Sequence, residues 1–168
     1  MTTLIRFTCL TAAVLIALSL SGCGTPGSLV PQQSTASNAR DRVGLPTDIR
    51  FDANGDELWE YATGPAGMQT DLVHIGRDGK VKKVTQLLTP ERFDRIVVGK
   101  TTKQQMRDLL GRPSDLRYLP SGLIWEWRAR IGPEFGHYAV RFDDGNVVRE
   151  KMVLTDPHSD DDRGGSGK

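Results

Sequence analysis

The sequence predicts an α+β protein of two tandem units, each an antiparallel meander of three or four strands, with a short helical pair between them packing on the sheet. Three observations predict this. First, the chain repeats itself at a spacing of 67 residues: Gly44-Leu-Pro46-Thr-Asp48-Ile-Arg50-Phe51 matches Gly111-Arg-Pro113-Ser-Asp115-Leu-Arg117-Tyr118. The match continues, after a one-residue gap, from Leu58-Trp59-Glu60-Tyr61 to Ile124-Trp125-Glu126-Trp127, then from Gly64-Pro65 to Gly132-Pro133, and from Asp78-Gly79-Lys80-Val81 to Asp144-Gly145-Asn146-Val147. Order, chemistry and spacing agree, which is the signature of a duplicated unit. Second, Tyr138, Val140 and Phe142 alternate with His137, Ala139 and Arg141, the period-two pattern of a strand with one buried and one wet face. Third, helix start and stop signals cluster between the two copies.

From the N-terminus, Arg6 and the chain amine form a positive start, and Phe7 to Leu20 is an uncharged apolar run, short for a spanning helix, which needs about 20 apolar residues. It ends in Leu20-Ser21-Gly22-Cys23, so residues 1–22 read as an export signal. Residues 23–38 are rich in Gly, Pro, Ser, Thr and Gln and read as a flexible tether. A first, truncated unit occupies 39–88, a second, complete unit 89–155, and an acidic, glycine-rich tail 156–168, expected to be disordered.

Within each unit the grammar is the same. A short extended segment (Asp48 to Phe51; Asp115 to Leu119) leads through a turn to an aromatic strand (Leu58 to Ala62; Leu123 to Arg128). A Gly-Pro loop then leads to a hairpin (Leu72 to Leu88; Tyr138 to Leu154). Asp78-Gly79 and Asp144-Gly145 are two-residue turn signals, because glycine accepts positive φ without cost. Thr89-Pro90-Glu91 supplies an N-cap, an N1 proline and an early acid for a helix over 89–99, with Phe93, Ile96 and Val97 at helical spacing and Gly99 ending it. Thr102 with Gln105 is a capping box for a second helix over 102–110, whose apolar stripe is Met106, Leu109 and Leu110. Gly111 is placed to end it with positive φ. The first copy offers only Asn38 to Val43 before Gly44, so its helical part is expected to be short.

Composition excludes several function classes. Lys+Arg 22 against Asp+Glu 21 leaves a net charge of +1, which gives no field for nucleic acid. Both cysteines, Cys9 and Cys23, fall in the first 23 residues, so neither a disulfide framework nor a Cys-rich zinc site is expected in the folded part. Three scattered histidines argue against a His-based metal site, and Asp143-Asp144-Gly145 lacks the further spaced oxygen ligands that calcium needs. No Ser-His-Asp set is apparent, so no catalytic residue, cofactor or small-molecule substrate is expected and the chain reads as a non-enzyme.

Leu20-Ser21-Gly22-Cys23 resembles the lipobox of bacterial lipoproteins. The resemblance implies cleavage before Cys23, acylation of that residue, and anchorage through multiple acyl chains, which hold a membrane where one would be marginal. Gly24, where such proteins carry Asp for inner-membrane retention, implies the outer membrane, facing the periplasm. Further along, Gly99-Lys-Thr-Thr102-Lys-Gln-Gln105-Met106-Arg-Asp-Leu-Leu110-Gly111-Arg-Pro113, then Trp125-Glu-Trp127, then Val140-Arg-Phe142-Asp-Asp144-Gly145 resembles the BamE (SmpA/OmlA) family of outer-membrane lipoproteins. The tandem arrangement is similar to that of the β-lactamase inhibitor protein fold. The first resemblance implies an accessory to the machinery that assembles outer-membrane β-barrels. The second implies an inhibitor or sensor module that binds an envelope enzyme.

Individual residues are weighed against that background. Trp59, Tyr61, Trp125 and Trp127 read first as core. Glu60 and Glu126 read as solvated cross-strand ion pairs with arginines such as Arg128 and Arg130. His74, with Val140 as its counterpart, reads as a partly buried structural histidine. Lys100, Lys103, Arg107 and Arg112 form a basic cluster that is either a solvated helix face or a contact for anionic lipid headgroups. Met68 and Phe135, each a large apolar residue among turn formers in the two Gly-Pro loops, are candidate partner contacts.

Overall fold

A computed structural model describes residues 24–63, 68–132 and 134–155. The expected signal peptide 1–22, the expected lipidation site Cys23, residues 64–67 and 133 of the Gly-Pro loops, and the tail 156–168 lie outside the described residues. The protein is α+β, with two four-stranded antiparallel sheets and few helices. A 3₁₀ turn (Pro26–Ser28) and α1 (Ala36–Val43) precede β1 (Asp48–Phe51), β2 (Glu57–Thr63), β3 (Gln69–Ile75) and β4 (Val81–Gln86). Then come α2 (Pro90–Asp94), α3 (Lys103–Leu110), β5 (Asp115–Leu119), β6 (Gly122–Ile131), β7 (Glu134–Phe142) and β8 (Val148–Thr155). In both sheets the strands lie in chain order.

Pleating sorts the side chains of each sheet onto two faces. Trp59, opposite Ile49 and Val73, shares a face with Tyr61, Ile75 and Val81, and these pack with Ala39 of α1 and Leu29. In the second unit Trp125, Trp127, Ala129, Tyr138, Val140 and Phe142 pack against Phe93, Ile96, Met106 and Leu110. Phe93 stacks on Tyr138 with ring centroids 4.1 Å apart. The aromatic strand residues are therefore core, as their alternation requires.

The first unit is not truncated. α1 spans eight residues, as α3 does, and Thr35 and Asn38 close a capping box that matches Thr102 and Gln105. Gln32, with φ 65°, occupies the place of Gly99, with φ 77°, and their amides bond Val81 O and Val148 O respectively. Ser34 Oγ accepts from the Val30 amide as Thr101 Oγ1 accepts from the Val97 amide. The expected tether is thus ordered from Gly24 onward, because Leu29 and Ser34 are buried and the backbone bonds the edge of β4.

Two further expectations are corrected. The helix expected over 89–99 ends at Asp94, because Gly99 N and Thr101 O bond Val148 of β8 and Thr101 Oγ1 takes the Val97 amide. Those bonds cannot be made by a continuing helix. The hairpins are not two-residue turns. Gly79 N bonds Gly76 O and Asn146 N bonds Asp143 O, and the left-handed residue is Gly79 in one and Asn146, not Gly145, in the other. Each is a turn followed by one positive-φ residue that shifts the register by a bulge. That register makes Arg141, rather than Val140, the counterpart of His74.

The units stack in layers. α3 gives Met106 and Leu110 to the second core, while Arg107 and Asp108 on its other side reach Asp48, Arg50 and Glu60. Those three residues lie on the face of the β1–β4 sheet opposite Trp59, since Asp48 pairs directly with Glu60 and Arg50 with Leu58. The order is α1, first sheet, α3, second sheet. The junction turns on Gly111, with φ 77° and ψ −162°, a conformation that essentially only glycine adopts. A Cβ there would meet Leu87 Cδ1 at 3.0 Å, Glu60 Oε2 at 3.1 Å and Thr70 Cγ2 at 3.1 Å. Gly44, at the end of α1, has φ 98° and ψ −163°, but nothing lies within 4 Å of its Cβ position. Both Gly44→Val and Gly111→Val should carry strain of about 1–3 kcal/mol. Gly111→Val should cost a further ~1–3 kcal/mol from overpacking, a difference that urea unfolding of the two variants will show.

Candidate functional site

One group of chemistry-bearing side chains gathers at the junction of the two units. Glu60, in mid-β2, is 2% exposed, and its Oε1 accepts from Arg50 Nε at 3.1 Å and from Arg107 Nη1. Its Oε2 accepts from the Arg112 amide at 2.9 Å. Arg107 Nη2 also donates to Asp48 at 2.5 Å, and Arg50 Nη1 to Asp108 at 2.5 Å. Three carboxylates and two guanidinium groups thus pair across the junction. Glu60 is therefore not the solvated cross-strand residue expected. Glu126, also buried, pairs with Arg117 across β5 and β6 rather than with Arg128 or Arg130.

Beside this network lies a cleft of about 650 Å³, lined by Thr47, Ala62, Thr70, Pro113, Ser114, Asp115, Leu116 and Trp125 as well as Glu60, Arg107 and Arg112. Glu60, the buried acid on its wall, accepts from three donors. Its mixed apolar and polar wall suits a contact surface.

A second cluster was not foreseen. Asp52, Asp56 and His74 place one oxygen or nitrogen each within 4.8 Å of one another, a donor set that a transition metal accepts. Here the carboxylates are already partnered by His74 and Lys82. His74 Nε2 lies 3.2 Å from Asp52 Oδ2 and 3.3 Å from Asp56 Oδ2, and Lys82 Nζ lies 2.5 Å from Asp56 Oδ2. The Asp56 amide, bonded to Asp52, holds the Asp52 carboxyl below the usual carboxylate range. The Lys82 hydrogen bond does the same for Asp56 and raises the Lys82 ammonium in return. The sequence signal was the Asp52-x-x-x-Asp56 spacing around the Asn54-Gly55 turn, but only the strand register brings His74 and Lys82 to it.

Of the expected basic cluster, the members differ in what they touch. Arg107 is engaged by Glu60 and Asp48, Lys103 Nζ sits 5.2 Å from the Trp125 ring centroid, and Lys100 and Arg112 are exposed. Met68 is partly buried just before β3. Phe135 lies in β7 rather than in a loop, 46% exposed, with Arg130 over its ring at 6.0 Å. Other apolar groups are exposed as well. All five residues of the edge strand β5 face solvent, with Leu116, Leu119 and an 80% exposed Tyr118, and β1 exposes Ile49 and Phe51.

No protein-family model matches the chain, and no curated protein matches it. Among solved structures, a DUF4309 family protein (YjgB) from Bacillus subtilis subsp. subtilis str. 168 is similar at 12% identity over 77% of this chain and 83% of that one, with a TM-score of 0.30. Similarity at that level fixes neither fold nor function.

Arg107→Met should destabilise the protein by about 3 kcal/mol in urea unfolding, because it strips a buried carboxylate of its closest donor. A loss under about 1 kcal/mol would mean that the network is screened like a surface pair. The second cluster has a pH signature. Depressed carboxyls contribute stability above their unfolded pKa, about 4, and lose it as pH falls through the lower folded values. Asp56→Asn should therefore lower Tm at neutral pH, and the gap to the parent should close as pH drops below about 4.

Proposed function

We propose that this chain is a lipid-anchored scaffold on the periplasmic side of the outer membrane, accessory to β-barrel protein assembly or envelope integrity. The observation that carries the reading is β5: an edge strand with Leu116, Tyr118 and Leu119 exposed on its two faces. Such an edge is a template for an added strand from a protein partner, with main-chain bonds giving affinity and side-chain contacts selectivity. The BamE-like reading of the second unit rests on the capping box of Thr102 and Gln105, the Leu110-Gly111-Arg112-Pro113 helix end and the aromatic strand β6. The anchor rests on the Leu20-Ser21-Gly22-Cys23 pattern. Among the described residues no helix is long and apolar enough to cross a membrane.

A second reading, an inhibitor or sensor that binds an envelope enzyme, draws on Phe51 and Tyr118. These occupy matching positions on the edge strands β1 and β5, and both are largely exposed.

Co-purification of the tagged lipoprotein from membranes separates the two. Recovery of barrel-assembly components is expected, and the pair Leu116→Asp with Tyr118→Asp should abolish it while changing stability by less than about 1 kcal/mol, since both side chains are exposed. Recovery of a single soluble enzyme instead would favour the inhibitor. For the anchor, a form with an ordinary secretory signal before Gly24 should leave the membrane fraction, because three acyl chains at about 0.8 kcal/mol per methylene outweigh any basic patch. If that form still pellets with outer membranes in high salt, a partner rather than lipid holds it.

A further inference from the structure

Among the described residues, the junction inside this chain has an uncovered counterpart at each end of it. Every residue that α3 and its terminal glycine bring to the first sheet recurs 67 positions earlier on α1: Arg107 and Asp108 correspond to Arg40 and Asp41, and Gly111 to Gly44. Arg40 and Asp41 are exposed, Arg40 stacking over Trp59 at 4.6 Å. The space about the Gly44 Cβ is open, and Leu45, which follows it, is 83% exposed.

The receiving surface recurs too. Asp48, Arg50 and Glu60 correspond to Asp115, Arg117 and Glu126, and the Arg50–Glu60 pair to the Arg117–Glu126 pair. Around Gly111 the cradle is Glu60, Thr70 and Leu87, the last fully buried. Strand register places Glu126, His137 and Leu154 at the same positions of the second sheet. There Leu154 is 42% exposed, and His137 Nδ1 is buried with no hydrogen-bond partner among the described residues. An apolar side chain in the open and an unmatched ring nitrogen sit where the first sheet has a covered contact.

We infer that the chain associates head to tail with a second copy of itself, the α1 end of one copy seating on the outer face of the β5–β8 sheet of the next. Charge complementarity selects this occupant. Arg40 faces Glu126 and Asp115 as Arg107 faces Glu60 and Asp48, and Asp41 faces Arg117 as Asp108 faces Arg50. The Leu45 amide takes the role of the Arg112 amide. The contact is heterologous, so it leaves one end free on each side and continues past a dimer. It does not depend on the membrane reading, because it uses neither Cys23 nor the apolar residues Leu116 and Tyr118.

Sedimentation velocity of the full chain in detergent, over a range of protein concentration, tests it. The parent should associate with rising concentration beyond two copies. Asp41→Arg and Arg117→Asp, each at an exposed position, should each weaken association about tenfold or more through like-charge juxtaposition. Mixing the two variants should restore it, because position 41 of either then meets an opposite charge at position 117 of the other. Circular dichroism of the single variants checks that they stay folded. A parent that is monomeric throughout overturns the proposal. So does a parent that associates only after residues 156–168 are removed, since the chain's own tail is then the occupant. A closed dimer indifferent to both charge reversals overturns it as well.

Discussion

Glu60 is a carboxylate withdrawn from water between two layers of the protein, and the arrangement of those layers follows from keeping it satisfied. A buried carboxylate costs several kcal/mol unless donors fill its lone pairs. One donor, Arg50, comes from the neighbouring strand, and the other two come from the second unit: the Arg107 guanidinium and the Arg112 amide. An amide can reach Oε2 only if the chain passes close over the sheet, which requires that residue 111 lack a side chain and adopt a glycine conformation. The helix before it is then fixed in rotation. Met106 and Leu110 point to the second core, and Arg107 and Asp108 to the first sheet. One acid thus couples a strand, a helix end and a backbone turn.

Elements set by local pattern were legible in the sequence. The aromatic strands, the α3 capping box and the positive φ of Gly111 follow from alternation, capping chemistry and backbone sterics, all acting within a few residues. α1 was read too short, from Asn38, because its local signal is weak: Ala39 is its one fully buried residue, and the 3₁₀ turn before it reads as a polar linker. Its capping box and its 67-residue spacing to α3 were present, but Gln32 stands where the second unit has Gly99, so the usual marker was missing. The ion network could not be read, because its bonds between layers join residues 47 to 59 positions apart, and no local pattern encodes that stacking. The same holds for His74 and Lys82, brought to Asp52 and Asp56 by strand register alone.

The two units share a ladder but not an environment. Stacking covers the outer face of the first sheet and leaves that of the second uncovered by any described element, so equivalent residues have different duties. Leu87 helps to hold the junction, and Leu154 stands partly in water. Glu60 has three donors from two units, while Glu126 is paired through Arg117 of its own sheet. Burying a leucine fully is worth about 1.5–3 kcal/mol, so any partner that completes the second cradle as α3 completes the first gains the part of that contribution that the 42% exposed Leu154 still lacks, together with a donor set for Glu126. The surface most able to do so is one already shaped for the purpose, and a chain built of two such units carries that surface on its own α1.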